Sequence, residues 1–205
     1  MTRLPGLALL CTLVLQTTPV ANGVPTLSVA QQQRLEHGEV LVTSEVGNGK
    51  GGRRGWTQAL GIINAPPATA WAVVQDYDTF VRLTPRLADY RVMERTAERI
   101  RVTQEIKVLF HTYRYTLWLD LDASGRHLRW KLDPTQPHDV RDIDGSWQFL
   151  PWDGNRTLMV YRMELDSGVW VPRVVEEYLT GRDLPTLLGN MRRQTEKVHR
   201  GSGPR

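Results

Sequence analysis

A series of segments between positions 99 and 165 alternates apolar and polar side chains, and this pattern most constrains how the chain can fold. The segments are Arg99–Val108, His111–Leu121, Arg126–Asp133, Val140–Leu150 and Thr157–Leu165. A period of two is typical of half-buried strands, and tight turns such as Asp153-Gly154-Asn155 join neighbouring strands as hairpins. The series therefore predicts an antiparallel meander with one apolar face and one solvated face.

The apolar face of such a sheet needs a cover, and the end of the chain offers one. Apolar residues recur at helical spacing in Val171–His199. Gly181 and Pro185 interrupt the pattern, and Asp183 can cap its second part. We expect a short helix, a kink, and a longer helix lying in the grip of the curved sheet. The predicted fold class is α+β.

The N-terminal third supplies a first hairpin. Ser28 is a good N-cap for a helix through His37, which Gly38 ends. Two strands with a flexible loop between them follow, at Glu39–Val46, Gly47–Gly55 and Trp56–Ile63. The spacing Gly47-x-Gly49-x-x-Gly52 matches a dinucleotide-binding fingerprint, but no helix start follows to receive a pyrophosphate. We interpret these glycines as a hairpin loop.

A double proline joins the second strand to two short helices. The strand ends at Pro66-Pro67, and a helix starts at once with Trp71 and Val74 on one face. A second, shorter helix begins at Asp78, the expected cap, and stops before Pro85. Strand, two short helices, a run of strands and a final helix predict a cupped sheet. A cupped sheet is suited to hold a hydrophobic ligand.

The segment Gly61–Phe80 closely resembles the opening of START-like helix-grip proteins, the superfamily of polyketide cyclases and coenzyme-Q-binding proteins. Further segments resemble that group's central strand, penultimate hairpin and closing helix, namely Tyr113–Leu117, Asp144–Pro151, Arg156–Tyr161, Val171–Arg173 and Asp183–Leu188. The resemblance implies a START-like ligand-binding domain over residues 39–199. It also implies a hydrophobic ligand such as a lipid, an isoprenoid quinone or a sterol-like molecule. A minority of the superfamily catalyse cyclisation or dehydration.

Residues 1–23 have the pattern of a cleavable signal peptide, with Arg3, an apolar run of roughly ten residues, and small residues before the expected cleavage after Ala21 or Gly23. A retained anchor or a buried helix is the alternative. The only cysteine, Cys11, lies in this run, so the mature chain has no thiol for a disulfide or a nucleophile. We expect export to the periplasm, a helical lead-in over residues 24–38 and a disordered basic tail over 200–205.

The formal net charge of +4 comes from basic residues scattered along solvated strand faces, except at the C-terminal end. There a basic cluster is formed by Arg192, Arg193, Lys197, Arg200 and Arg205. A solvated helix tail is the favoured interpretation of this cluster, and contact with an anionic membrane surface is the alternative. No nucleic-acid-binding motif is present, and we expect a monomer.

Metal or nucleophilic chemistry finds little support. The five histidines show no ligand spacing, although His111 and His127 near strand starts were candidates to meet in space. We identify no catalytic constellation, and we expect no cofactor and no bound metal.

Residues that alternation or helical spacing turns toward the concave side form the predicted cavity lining. They are Trp71, Gln104, Tyr113, Tyr115, Leu117, Trp130, Trp147, Met159, Tyr161, Met163, Leu187 and Met191. An apolar cavity with a few convergent polar tips is typical of a ligand site. Three functions stay open: binding or transfer of a hydrophobic molecule, a cyclase-like enzyme in which Tyr113 and Gln104 polarise a carbonyl, and a ligand-free interaction module.

Overall fold

The computed structural model describes residues 25–49, 52–108, 110–168 and 179–201. The helices are α1 (Val29–Glu36), α2 (Pro67–Gln75), α3 (Tyr77–Val81) and α4 (Leu184–Gly201), the last preceded by a π-helical turn at Leu179–Asp183. The strands are β1 (Leu41–Gly49), β2 (Gly52–Ile63), β3 (Leu87–Arg95), β4 (Arg99–Val108), β5 (His111–Asp122), β6 (His127–Leu132), β7 (Asp142–Pro151) and β8 (Thr157–Asp166).

All eight strands form one antiparallel sheet in the order β1-β2-β8-β7-β6-β5-β4-β3. The meander from β3 to β8 is the series of hairpins that the period of two predicts. The curved sheet wraps around α4, which contacts β2 and the short helix α2. The predicted α+β helix-grip fold is confirmed.

Local signals fixed the start of the fold as expected. The Ser28 hydroxyl accepts a hydrogen bond from the backbone of Gln31, and the Gln31 side chain accepts one from the backbone of Ser28. This reciprocal capping box satisfies two of the free amides at the helix start. After the helix, Gly38 has a φ of 83°, a left-handed conformation that favours glycine.

The first hairpin is longer than the sequence predicted. Gly47 pairs with Arg54 and Gly49 pairs with Gly52, so the expected loop Gly47–Gly55 is mostly strand, and residues 50 and 51 lie outside the described residues. The prediction was wrong because it gave too much weight to the low strand propensity of glycine. The ladder from β2 to β8 extends to Arg54 and holds these glycines in the sheet.

Two expected caps are also corrected. Asp76 caps α3 by accepting a hydrogen bond from the backbone of Thr79, whereas Asp78 lies in the first turn and accepts hydrogen bonds from Tyr90 and Arg95. Asp183 does not cap a separate helix, because the π-helical turn runs directly into α4. The expected short helix before it falls at 171–178, and these residues lie outside the described part of the chain.

The sheet is buried on both faces near α1. The main core lies on the concave side, and a second core on the other side consists of Leu35, Leu41, Leu60, Ile62, Leu158 and Val160. The expectation of one solvated face is therefore wrong for this part of β2 and β8. The unbroken apolar run Leu158-Met159-Val160-Tyr161 is the sequence signal of a strand that is buried on both faces.

The predicted signal peptide at residues 1–23 and residues 202–205 of the predicted tail lie outside the described residues. Among the described helices, none combines the length and the apolar composition needed to cross a bilayer.

Candidate ligand-binding site

A cavity with two adjacent compartments lies between the concave face of the sheet and α4. The outer compartment has a volume of about 260 Å³ and the inner one about 110 Å³. They share lining residues and so form one continuous space, at Thr84, Tyr115, Ile143, Tyr161, Met163 and Leu187. The outer compartment opens between the β4–β5 hairpin, the end of β8, the segment before β3, and the turn into α4.

Most of the predicted lining residues do surround this space. Gln104, Leu117, Trp130 and Trp147 line the inner compartment, Tyr113 lines the outer one, and Tyr115, Tyr161, Met163 and Leu187 line both. Alternation along β4, β5 and β8 correctly placed these side chains on the concave face. The inner compartment is largely aromatic because the rings of Trp147, Phe149 and Tyr161 pack together there.

Three predicted residues, Trp71, Met159 and Met191, line neither compartment. Met159 and Met191 are completely buried, and Trp71 is almost so. Gly61 explains the position of Met159, because a Cβ at Gly61 would lie 2.7 Å from the Met159 Cε atom and 3.6 Å from Leu188. The missing side chain allows α4 to approach the sheet closely, so these residues form packed core where the sequence predicted cavity wall.

Sequence reasoning missed the rim of the outer compartment. Thr84, Pro85 and Arg86 line it before β3, and Asp183 and Leu184 line it at the start of α4. Arg86 has a φ of 63°, and its guanidinium forms an ion pair with the Asp183 carboxylate. These residues are 97 positions apart, and no local pattern predicts that they meet.

Two tyrosine hydroxyls reach the junction of the compartments without strong partners. The Tyr115 hydroxyl has no hydrogen bond to the described part of the chain, and burial raises its pKa to about 12. The Tyr161 hydroxyl contacts only a weak acceptor, the Met163 sulfur at 3.2 Å, and burial raises its pKa as well. Both phenols therefore stay protonated near neutral pH and are available to donate hydrogen bonds into the cavity.

A third tyrosine shows the contrasting arrangement. The Tyr77 hydroxyl accepts a hydrogen bond of 2.9 Å from the Gln104 side-chain amide. Burial raises the pKa of Tyr77 too, although the Gln104 hydrogen bond opposes the rise. Gln104 is thus positioned by Tyr77, and one polar side of the inner compartment is already satisfied.

The described residues offer no cluster of His, Cys, Asp and Glu that would hold a metal ion. His111 and His127 do not meet, because His127 pairs with Asp122 at the opposite end of β5 from His111. Apart from the tyrosines, the ionisable residues of the described lining are Arg86 and Asp183, which are paired with each other.

Solved structures with this fold come from several sources. The Zhui aromatase/cyclase from Streptomyces sp. R1128 is 18% identical and has a TM-score of 0.62, with 74% of this chain and 99% of that chain covered. A STAR-related lipid transfer protein fragment from Xanthomonas axonopodis is 15% identical, with a TM-score of 0.60 and coverages of 76% and 93%. A START superfamily protein from Mycobacterium smegmatis is 13% identical, with a TM-score of 0.57 and coverages of 70% and 98%.

These identities establish a shared fold and no shared activity. No curated protein sequence matches the chain. The sequence profile of one family does match residues 63–192, which are more than half of the 205 residues. The matched region runs from the end of β2 through most of α4 and so includes the cavity described above. This protein therefore belongs to the family described as polyketide cyclase/dehydrase and lipid transport.

Proposed function

We propose that this protein binds a compact hydrophobic molecule that carries an oxygen acceptor, and transfers it without chemical change. The observation that carries the proposal is the pair of buried phenol donors, Tyr115 and Tyr161, which point into an otherwise apolar cavity. A buried donor without a partner costs free energy, and a ligand carbonyl or quinone oxygen would remove that cost.

The size of the cavity narrows the choice of ligand. The outer compartment, at about 260 Å³, is slightly smaller than the ~300–1,000 Å³ typical of ligand pockets, and the inner one adds a narrow aromatic extension. A molecule of one or a few rings fits this space. A long isoprenoid chain or a sterol would require the walls to move apart.

The rim supports a route for loading. The Arg86–Asp183 ion pair ties the segment before β3 to the turn that starts α4, and both side chains are partly exposed. Separation of these two segments would widen the outer compartment without disturbing the sheet. A partly exposed ion pair contributes little net stability, so its opening is inexpensive.

Binding can be measured with a matched pair of probes, menadione and 2-methylnaphthalene, which differ in the two quinone oxygens and one ring. Trp130 and Trp147 line the inner compartment and provide a fluorescence signal. We expect both probes to bind and menadione to bind more tightly. Leu187→Trp should abolish binding because Leu187 lines both compartments, whereas Thr186→Trp, on the exposed face of α4, should not. Equal binding by both variants would contradict the proposal.

An enzymatic role is the competing proposal. Protonated Tyr115 and Tyr161 would polarise a ligand carbonyl as an oxyanion hole does. Their raised pKa values make them poor bases near neutral pH, which favours binding over proton abstraction. Mass analysis of a bound carbonyl compound after prolonged incubation separates the two roles, since a transfer protein returns the compound unchanged.

We further propose that the protein acts after export to the periplasm, on the evidence of the sequence of residues 1–23. Production of the full chain in a Gram-negative host should yield a periplasmic protein that lacks those residues. An intact N-terminus in the cytoplasmic or membrane fraction would refute export and would leave the ligand proposal untouched.

A further inference from the structure

We propose that the tip of the β4–β5 hairpin is a membrane-docking element that brings the cavity mouth onto a phospholipid bilayer. The proposal rests on the cavity being a ligand site, but it concerns a different surface. It begins from Phe110, which is fully exposed at the tip and is the most exposed large apolar residue among the described ones.

The composition of this tip is unusual for a hairpin. Turns ordinarily carry Gly, Asn, Asp, Ser or Pro, whose side chains tolerate both the turn geometry and water. Here the sequence is Val108-Leu109-Phe110, and the paired residues Val108 and His111 close the ladder on either side. Phe110 contributes to neither hydrophobic core of the described residues, so folding does not explain it.

The hairpin also forms the wall of the cavity mouth. Ile106 and Val108 on β4, and Tyr113 on β5, all line the outer compartment. The apolar inner face of the hairpin is thus continuous with the apolar tip that projects beyond it. A surface that received Phe110 would lie against the opening, and a hydrophobic ligand could cross without entering water. Release into water would cost about 0.8 kcal/mol for each exposed methylene, so direct transfer is favoured.

Charge favours a phospholipid surface over other apolar partners. Positions 106–119 contain no Asp or Glu, whereas Lys107 is exposed beside the tip and Arg114 follows it. Arg114 is paired with Glu105, so Lys107 supplies the main attraction to anionic head groups. Such a contact is weak and reversible, which suits a protein that must leave the membrane again.

The basic cluster at the C-terminal end lies elsewhere. Helix α4 starts at the cavity mouth and rises by about 27 Å over its 18 residues, which places Lys197 and Arg200 at the far end. Arg192 is turned inward and donates a hydrogen bond of 2.9 Å to the Gly38 carbonyl. A bilayer that touched this end would be remote from the opening. Membrane contact through the tail, which the sequence suggested as an alternative, does not load the cavity directly.

The test uses the full chain with Cys11→Ser, so that one introduced cysteine can carry a polarity-sensitive fluorophore. The label is placed at Phe110→Cys or, as the control, at Lys197→Cys. Vesicles of phosphatidylcholine with phosphatidylglycerol are then added. We expect the label at position 110 to brighten and shift to the blue, and the label at position 197 to stay in water. A response only at position 197, or at neither position, would overturn the proposal.

A second measurement uses unlabelled protein. Burial of one phenylalanine corresponds to roughly a 10- to 100-fold change in a binding constant, so Phe110→Asp should weaken vesicle association by at least tenfold. The same variant should bind menadione in solution as the unsubstituted protein does, because Phe110 lines neither compartment. Unchanged vesicle association would refute the docking element, whereas lost menadione binding in both proteins would refute the ligand proposal. A label at position 110 that responds to a purified protein and not to vesicles would assign the tip to a protein partner.

Discussion

The substitution Tyr115→Phe should have opposite effects on folding and on binding. It removes a buried hydroxyl that has no hydrogen bond to the described part of the chain and keeps the ring, so packing in the core is preserved. We expect the free energy of unfolding to stay the same or rise by up to about 1 kcal/mol, because the folded state no longer holds an unpaired donor. Binding of menadione should weaken by about 0.5–1.5 kcal/mol, or about 2- to 10-fold.

The control is Tyr77→Phe, the same chemical change at a hydroxyl that does have a partner. It leaves the Gln104 amide unpaired, and Gln104 is half-buried, so the free energy of unfolding should fall by about 1 kcal/mol. Urea unfolding followed by circular dichroism measures the two stabilities, and tryptophan fluorescence measures the two affinities. Equal loss of stability in both variants would mean that the Tyr115 hydroxyl is satisfied within the protein. Equal weakening of menadione and 2-methylnaphthalene by Tyr115→Phe would remove its role as a donor to the ligand.

Three further substitutions test other parts of the structure. Gly145→Ala should lower the free energy of unfolding by about 1–3 kcal/mol in urea unfolding, since its methyl group would overlap the Trp130 ring; wild-type stability would contradict this packing. Asp133→Asn should cost about 2 kcal/mol at pH 7, because the carboxylate is buried and paired with Arg101. Burial raises the pKa of Asp133, but hydrogen bonds from Thr135 and Arg101 outweigh it and hold the pKa below the ordinary 3.8; the cost should therefore vanish as acid titration passes below that value, and a constant cost would refute the assignment. Asp183→Asn should speed menadione association in stopped-flow fluorescence several-fold by weakening the rim ion pair, and an unchanged rate would mean that the rim does not limit entry.

The strands of the meander were predictable because alternation is a local signal. The boundaries of β4 at Arg99 and Val108 and the start of β5 at His111 agree with the sequence, and the concave-facing residues follow from a period of two. The cap at Ser28 was predictable for the same reason, since both partners of a capping box lie within one helical turn.

The tertiary structure alone decided what became cavity and what became core. Trp71 and Met159 carry the same apolar signal as Trp147 and Met163, yet the first two are packed and the last two line the cavity. The distance of α4 from the sheet makes the difference. It is short over Gly61, where no side chain intervenes.

The rim and the docking tip follow the same rule. Arg86 and Asp183 meet only because the fold brings the start of α4 to the segment before β3. Phe110 is apolar in the sequence, but only the path of the hairpin shows that it projects beside an opening. Sequence by itself determines which residues are buried in a strand or cap a helix, because those choices depend on neighbours along the chain. Cavities, ion pairs and exposed tips depend on contacts between distant segments, and these exist only once the chain has folded.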